Sequence, residues 1–309
     1  MKILKNISTE NVIAIDIETV RYTNTFLELN EAWQSAWEYK NKQDGQIPTI
    51  DELGEKWINH ASLYPEFSKI CAVSLSLMSK GQLRCKNYVS TDERALLRAL
   101  SADLNMFAKN KSFRLCGHAS QYFDVPFICK RLIANGLEIP DILDATDKKP
   151  WEETNIDTNV LWKSFGTGPG SSLQALCTLL DVPVSKVDLV GDGVGKAYYN
   201  GELTRIADYC NLDAIATFNV LRRLKREPIF SFEDVIYVNQ GEVIEAVPFL
   251  TEIHNSKLIT KEQGLKIQEF IKTLASIDEV TYAKEILTAA VIDSKGKVSK
   301  VNQDFINSL

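Results

Sequence analysis

The stretch Val12-Ile13-Ala14-Ile15-Asp16-Ile17-Glu18-Thr19 decides the fold of this chain. Its apolar run is typical of a buried β-strand, and two acids stand where the run ends. Side chains two positions apart on a strand point to the same face. Asp16 and Glu18 can therefore reach one pocket, while the isoleucines beside them face the core. The stretch predicts a strand that delivers a pair of carboxylates.

Two further positions along the chain carry acids in suitable contexts. Asp124 stands in Tyr122-Phe123-Asp124-Val125-Pro126, where a helix is predicted to begin. Tyr209 and Asp213 are four residues apart in a helical pattern from about 203 to 224, so they are neighbours on one helical face. Taken singly, Asp124 also fits a helix N-cap, and the other two fit a helix surface. The occurrence of all these residues in one chain favours a shared site.

Four carboxylates in one site repel each other unless cations neutralise them. Magnesium and manganese are hard cations that take oxygen ligands, as carboxylates provide. Two such cations about 4 Å apart can support phosphodiester hydrolysis. The three histidines do not cluster, and none of the six cysteines forms a C-x-x-C pair. A zinc or redox framework is therefore not favoured, whereas a carboxylate metal site is.

Composition limits the class of protein. The 309 residues fit one large domain or a domain with an appendage, and 45% hydrophobic with 25% charged residues is ordinary for a globular protein. No apolar run approaches the roughly 20 residues of a membrane helix, and the N-terminus has no signal-peptide pattern. We expect a cytoplasmic protein without membrane segments. The net charge of −6 argues against nucleic-acid binding by bulk electrostatics, so any such contact is local.

Strand and helix patterns alternate along the chain. Residues 21–66 predict an insertion of two helices, and residues 69–77 and 83–89 predict a hairpin. Further strands are expected at 113–117 and within 156–161. These patterns predict an α/β domain over residues 1–227, with a mixed five-stranded sheet flanked by helices. A smaller, mostly helical accessory region is expected over residues 228–309.

The motifs resemble those of the DnaQ-like 3′–5′ exonucleases of the DEDD type, which have an RNase H-like fold. The chain looks most similar to predicted exonucleases related to the proofreading domain of B-family DNA polymerases. The resemblance covers about residues 10–226, and its motifs are residues 15–19 (IDIET), 117–124 (GHASQYFD) and 209–214 (YCNLDA). Because Tyr209 stands four residues before Asp213, and no histidine stands five before it, the chain resembles the tyrosine (DEDDy) subtype.

The resemblance implies a role for each motif residue. Asp16 would bridge two divalent cations, Mg²⁺ or Mn²⁺. Glu18 and Asp213 would hold the cation beside the attacking water, and Asp124 would serve the other cation through water. Tyr209 would position the attacking water. The activity implied is 3′–5′ hydrolysis of single-stranded DNA from its 3′ end, in a repair or maintenance role.

Two neighbouring residues bear on substrate placement. Many relatives carry Asn five residues before the second-motif acid, where this chain has Ala119. This departure affects positioning of the substrate strand and not the metal set. His118 either packs at the strand end or touches substrate. Two alternative functions stay open: an exoribonuclease acting on RNA 3′ ends, and a catalytically silent nucleic-acid-binding adaptor.

Overall fold

The structure is a computed structural model that describes residues 2–5, 7–144, 155–164, 166, 168–184, 189 and 193–238. The chain divides into two compact units, Met1–Ile244 and Glu245–Leu309. All described residues belong to the first unit. The mostly helical region expected over residues 228–309 lies outside the described residues from residue 239 onward. Within the described ranges, no helix is long and apolar enough to cross a membrane.

The described strands form a single mixed sheet in the order β5-β4-β1-β2-β3-β6. The pairs β1–β2 and β2–β3 are antiparallel, whereas β1–β4, β4–β5 and β3–β6 are parallel. The strands are β1 (Val12–Arg21), β2 (Ser68–Ser79), β3 (Gln82–Val89), β4 (Arg114–Gly117), β5 (Ile156–Asp157) and β6 (Ile236–Val238).

Helices cover this sheet. They are α1 (Lys2–Lys5), α2 (Glu31–Asn41), α3 (Ile50–His60), α4 (Glu93–Ala108), α5 (Asp124–Ala134), α6 (Thr158–Lys163), α7 (Leu173–Leu179), α8 (Val194–Tyr199) and α9 (Leu203–Lys225). The expected α/β class with a mixed sheet flanked by helices is confirmed.

Two details differ from the sequence expectation. The described sheet has a sixth strand, β6, which pairs with the free edge of β3. The strand expected within 156–161 ends at Asp157, because that side chain caps α6 and the backbone turns helical at once. Helix α4 begins after its N-cap Asp92, whose carboxylate accepts the N–H of Ala95.

Strand β1 lies between β2 and β4 and is buried along nearly all its length. Ile13, Ile15 and Ile17 pack on one face, in a core with residues of α4 and α5. Val12 and Ala14 face the opposite side, in a core with α9. Because both faces are covered, this strand is apolar except where its acids emerge.

The predicted insertion forms α2 and α3 between β1 and β2. Its own small core includes Trp37, Trp57 and Phe67, whose rings meet edge-to-face. The Trp37 indole N–H donates to the Leu53 carbonyl at 3.1 Å, which ties the two helices together. The insertion is therefore a packed unit.

A buried ion pair joins this insertion to the sheet and to α5. Arg131 of α5 donates to both carboxylate oxygens of Glu93, at 2.8 and 2.5 Å. The same guanidinium donates to the Tyr22 hydroxyl at 2.6 Å and to the Pro65 carbonyl at 2.9 Å, at the two ends of the insertion. Glu93 also accepts the N–H of Ile70 at 2.7 Å. Arg131 therefore has a structural position and does not face the site.

Candidate active site

Strand β1 delivers the first two acids. Asp16 pairs with Ser74 and Glu18 with Ala72 in the ladder to β2, and the register shifts between Glu18 and Thr19. Strand β4 ends its pairing with β1 at Ala14, so nothing from β4 covers the strand beside Asp16. The acids therefore emerge where β1 leaves its parallel neighbour.

Helix α5 brings Asp124 to the same place. Asp124 is its first residue and is buried. Burial raises the pKa of Asp124 to about 7. Hydrogen bonds from its own backbone N–H and from the N–H of Ile17 lower this pKa, and the charge of Asp157 raises it. The carboxylate is thus hydrogen-bonded to the β1 backbone at Ile17, the residue between Asp16 and Glu18.

Helix α9 brings Tyr209 and Asp213 across the sheet from the other side. It packs on β1, β2 and β3, and its Cys210 thiol donates to the Asp16 carbonyl at 3.4 Å. Burial raises the pKa of Asp213 to about 6, and a hydrogen bond from the Tyr209 hydroxyl lowers it. The helix thus contacts β1 directly at Asp16.

The carboxylates interact strongly with one another. Burial, then Asp213, Glu18 and Asp124 in that order, raise the pKa of Asp16 well above its ordinary value. Burial, Asp213 and Asp124 likewise raise the pKa of Glu18. The structure therefore brings together the four acids that the sequence placed on three elements. Without cations, the carboxylates of such a cluster bind protons more readily than isolated carboxylates do.

The donor set fits divalent cations. Asp16 Oδ2 is buried and accepts no hydrogen bond from any described residue. An unpaired carboxylate oxygen of this kind is costly unless a cation or a proton binds it. Ligand atoms of Asp16, Glu18 and Cys210 lie within 4.8 Å of one another. Burial raises the pKa of the Cys210 thiol well above its ordinary value, so the oxygen donors are the better ligands.

Tyr209 contacts this cluster. Burial, and then the charges of Asp213, Glu18 and Asp16, raise the pKa of its phenol far above its ordinary value. The hydroxyl group therefore remains protonated at neutral pH. It can donate or accept a hydrogen bond, but it cannot act as a phenolate base.

The structure shows the hydrogen bonds of His118 and the backbone conformation of Ala119. Both ring nitrogens of His118 are engaged, Nδ1 at 2.8 Å from Thr158 Oγ1 and Nε2 at 2.7 Å from the Ser171 carbonyl. Packing at the strand end accounts for this histidine. Ala119 has a φ of 63°, in the left-handed region that asparagine tolerates better than alanine.

Three residues that support the site carry no role predicted from the sequence. Cys210 and Asn211 lie between Tyr209 and Asp213, and both contact strands of the sheet. Asp157 is buried and accepts backbone N–H groups from two segments. An aspartate before a helix start is an N-cap signal, and Asp157 is both the last residue of β5 and the N-cap of α6.

Comparison with known proteins agrees with this geometry. The family described as predicted 3′–5′ exonucleases related to the exonuclease domain of PolB matches residues 62–241. That match covers more than half of the chain, so the protein belongs to this family of 3′–5′ exonucleases. It includes Asp124, Tyr209 and Asp213, and it begins after Asp16 and Glu18.

Solved structures show a distant likeness. The family B DNA polymerase of the hyperthermophilic archaeon Pyrobaculum calidifontis aligns at 14% identity with a TM-score of 0.44, over 69% of this chain and 24% of the polymerase. The RNase domain of the yeast Pop2 protein aligns at 14% identity with a TM-score of 0.32, over 73% of this chain and 80% of that domain. This chain thus spans about a quarter of the polymerase. No curated protein matches it at a significant level.

Proposed function

We propose that the protein is a metal-dependent 3′–5′ exonuclease of the tyrosine (DEDDy) subtype. It removes nucleotides from the 3′ end of single-stranded DNA, with two divalent cations, Mg²⁺ or Mn²⁺, in its site. A role in DNA repair or maintenance fits this substrate, because damage processing exposes single-stranded ends.

One observation carries the proposal: four acids from three elements lie close enough that their charges raise the pKa values of Asp16 and Glu18, with Glu18 and Asp124 buried and Asp16 and Asp213 partly buried. Burying several carboxylates together is unfavourable unless they bind something cationic. The orphan Asp16 Oδ2 supports the same conclusion. A merely structural cluster would be expected to have its oxygens satisfied by protein donors.

The residues would act as follows. Asp16, Glu18, Asp124 and Asp213 would hold the cations. When bound, two cations neutralise phosphate charge, favour ionisation of the attacking water and stabilise the leaving oxygen. Tyr209 would orient the attacking water through its neutral hydroxyl, while Ile17 N–H keeps Asp124 in place.

Digestion of a 5′-labelled DNA oligonucleotide tests the proposal. We expect stepwise shortening with Mg²⁺ or Mn²⁺, no shortening in EDTA, and a loss of roughly 10³-fold or more in Asp16→Asn. Asp141→Asn is the matched control, since Asp141 is an exposed surface carboxylate. Cleavage that persists in EDTA or in Asp16→Asn would contradict the proposed site.

Comparing DNA and RNA oligonucleotides of the same sequence tests the substrate preference, because the same hydrolysis can act on either polymer. We expect faster cleavage of DNA than of RNA of the same sequence. Faster cleavage of RNA would instead identify an exoribonuclease. Tight binding of oligonucleotides with no metal-dependent cleavage would identify a silent adaptor and would overturn the proposed activity.

A further inference from the structure

The carboxylate of Asp157 is buried, with 2% of the residue exposed, between two segments of the described chain. Its Oδ1 accepts the backbone N–H of Ala119 at 3.0 Å, and its Oδ2 accepts that of Gln121 at 3.1 Å. Oδ1 also accepts the N–H groups of Asn159 and Val160, at 2.9 and 3.1 Å. One side chain therefore satisfies four backbone donors.

Only half of these bonds belong to helix capping. The bonds to Asn159 and Val160 are those of an ordinary N-cap on α6. The bonds to Ala119 and Gln121 reach 38 and 36 residues back along the chain. Strand pairing makes this reach short, because Gly117 at the end of β4 is the register partner of Asp157.

The loop that receives these bonds, residues 117–123, is tightly folded. A Cβ at Gly117 would lie 2.1 Å from the Cβ of Ser120, so the loop closes on itself where only glycine fits. Ala119 adopts a left-handed conformation that is unfavourable for alanine. The surroundings must therefore impose this loop conformation.

The loop and the start of α5 form one unit. The Ser120 carbonyl accepts the N–H of Val125 at 3.0 Å, so the closed loop is continuous with the first turn of the helix. Asp124 lies inside that turn. A change in the loop would move the Asp124 carboxylate relative to Asp16 and Glu18.

We propose that Asp157 is a positioning residue: its carboxylate holds loop 117–123 closed and so presents Asp124 to the other site acids. The inference rests on the proposed function, because it concerns the geometry of that site. Asp157 itself stays outside the reaction, since its two oxygens are engaged by backbone donors.

Two substitutions at Asp157 should weaken its hydrogen bonds to different extents. Asp157→Asn keeps an acceptor for three of the four donors, but it turns an amide group toward the N–H of Gln121. Asp157→Ala removes all four acceptors. The matched control is Asp92→Asn, because Asp92 also caps a helix, α4, through the N–H of Ala95. Circular dichroism melting verifies that each variant folds.

Hydrogen exchange and kinetics are measured on the full chain. In Asp157→Asn we expect at least about tenfold faster exchange in peptides covering 117–123. We also expect kcat to fall on the order of 10- to 100-fold while KM changes less than about threefold. Asp157→Ala should show larger effects, and Asp92→Asn should match the wild type in both readouts.

Unchanged exchange over 117–123 in Asp157→Asn would overturn the inference. So would unchanged kcat in a variant whose loop exchanges faster. If Asp157→Ala does not fold, the inference is tested on Asp157→Asn alone. If the wild-type protein shows no metal-dependent cleavage, the proposed function is overturned. The proposal that Asp157 presents Asp124 for catalysis is then overturned as well. Hydrogen exchange would in that case test only whether Asp157 holds the loop.

Discussion

The hydroxyl of Ser74 donates a hydrogen bond of 2.8 Å to the side-chain oxygen of Asn211. Ser74 lies directly opposite Asp16 in the β1–β2 ladder, and Asn211 lies on α9 between Tyr209 and Asp213. This bond therefore sets the register of the helix against the strand beside the first acid. Both residues are buried, so the bond is protected from water.

Asn211→Ala should lower both stability and activity. Removing the amide leaves the buried Ser74 hydroxyl without this acceptor, which costs about 1–3 kcal/mol of unfolding free energy. Because α9 loses its register, we expect kcat to fall on the order of tenfold or more. Urea unfolding and oligonucleotide digestion measure the two effects.

Asn219→Ala is the matched control, because Asn219 is a buried asparagine on the same helix that bonds to Phe230 on both its amide atoms. It should cost similar stability with little change in kcat. Equal losses of kcat in the two variants would show that Asn211 does not set the register of α9 against β1.

Tyr209→Phe should leave more activity than Asp213→Asn. On the proposed roles, the phenylalanine would lose only a hydroxyl that orients water, for which we expect roughly 10- to 100-fold lower kcat. The asparagine would remove a charged metal ligand, for which roughly 10³-fold is expected. Single-turnover cleavage with saturating Mn²⁺ compares them. Equal losses would count against a separate role for the phenol.

The metal-free protein should lose stability as pH rises. The pKa values of Asp124 and Asp213, about 7 and about 6, lie above their ordinary value of 3.8. The folded state therefore binds more protons than the unfolded state between about pH 4 and pH 7. Hence each group contributes its full stabilisation below about pH 4, and this contribution is lost as the pH rises through the pKa of the folded state.

For Asp213 the loss is on the order of 2–3 kcal/mol, measured by urea unfolding in EDTA across that window. Asp213→Asn should flatten the dependence, because the amide does not titrate. Adding Mn²⁺ at pH 8 should raise the melting temperature of the wild type, since binding to the folded state stabilises it. Parallel pH curves for wild type and variant would contradict the coupling of Asp213 to the cluster.

Arg131→Met should destabilise the fold severely. The substitution leaves Glu93 buried with an uncompensated charge, which costs about 3–5 kcal/mol. Lys111→Met is the control, because Lys111 and Asp141 form an exposed pair worth less than about 1 kcal/mol. Denaturant midpoints compare them. A small effect at Arg131 would mean that the insertion holds without this ion pair.

Sequence patterns predicted much of this protein because they report local physics. The apolar run of β1 and the helical spacing of Tyr209 and Asp213 each describe one element, and each element formed as expected. The helix start at Asp124 was likewise visible from its flanking residues. The strand expected within 156–161 is β5, but its end at Asp157 was not predicted, because a short apolar stretch does not show where a strand gives way to a capped helix.

The sequence by itself determined which elements form and which of them carry acids. Only the tertiary structure decided that Asp157 closes the loop before Asp124, that Asn211 fixes α9 opposite Asp16, and that Arg131 is a structural residue. These contacts join residues far apart in the chain, and no local period encodes them. They arise because packing the sheet and helices buries polar groups, and each buried group must find its partner across the fold.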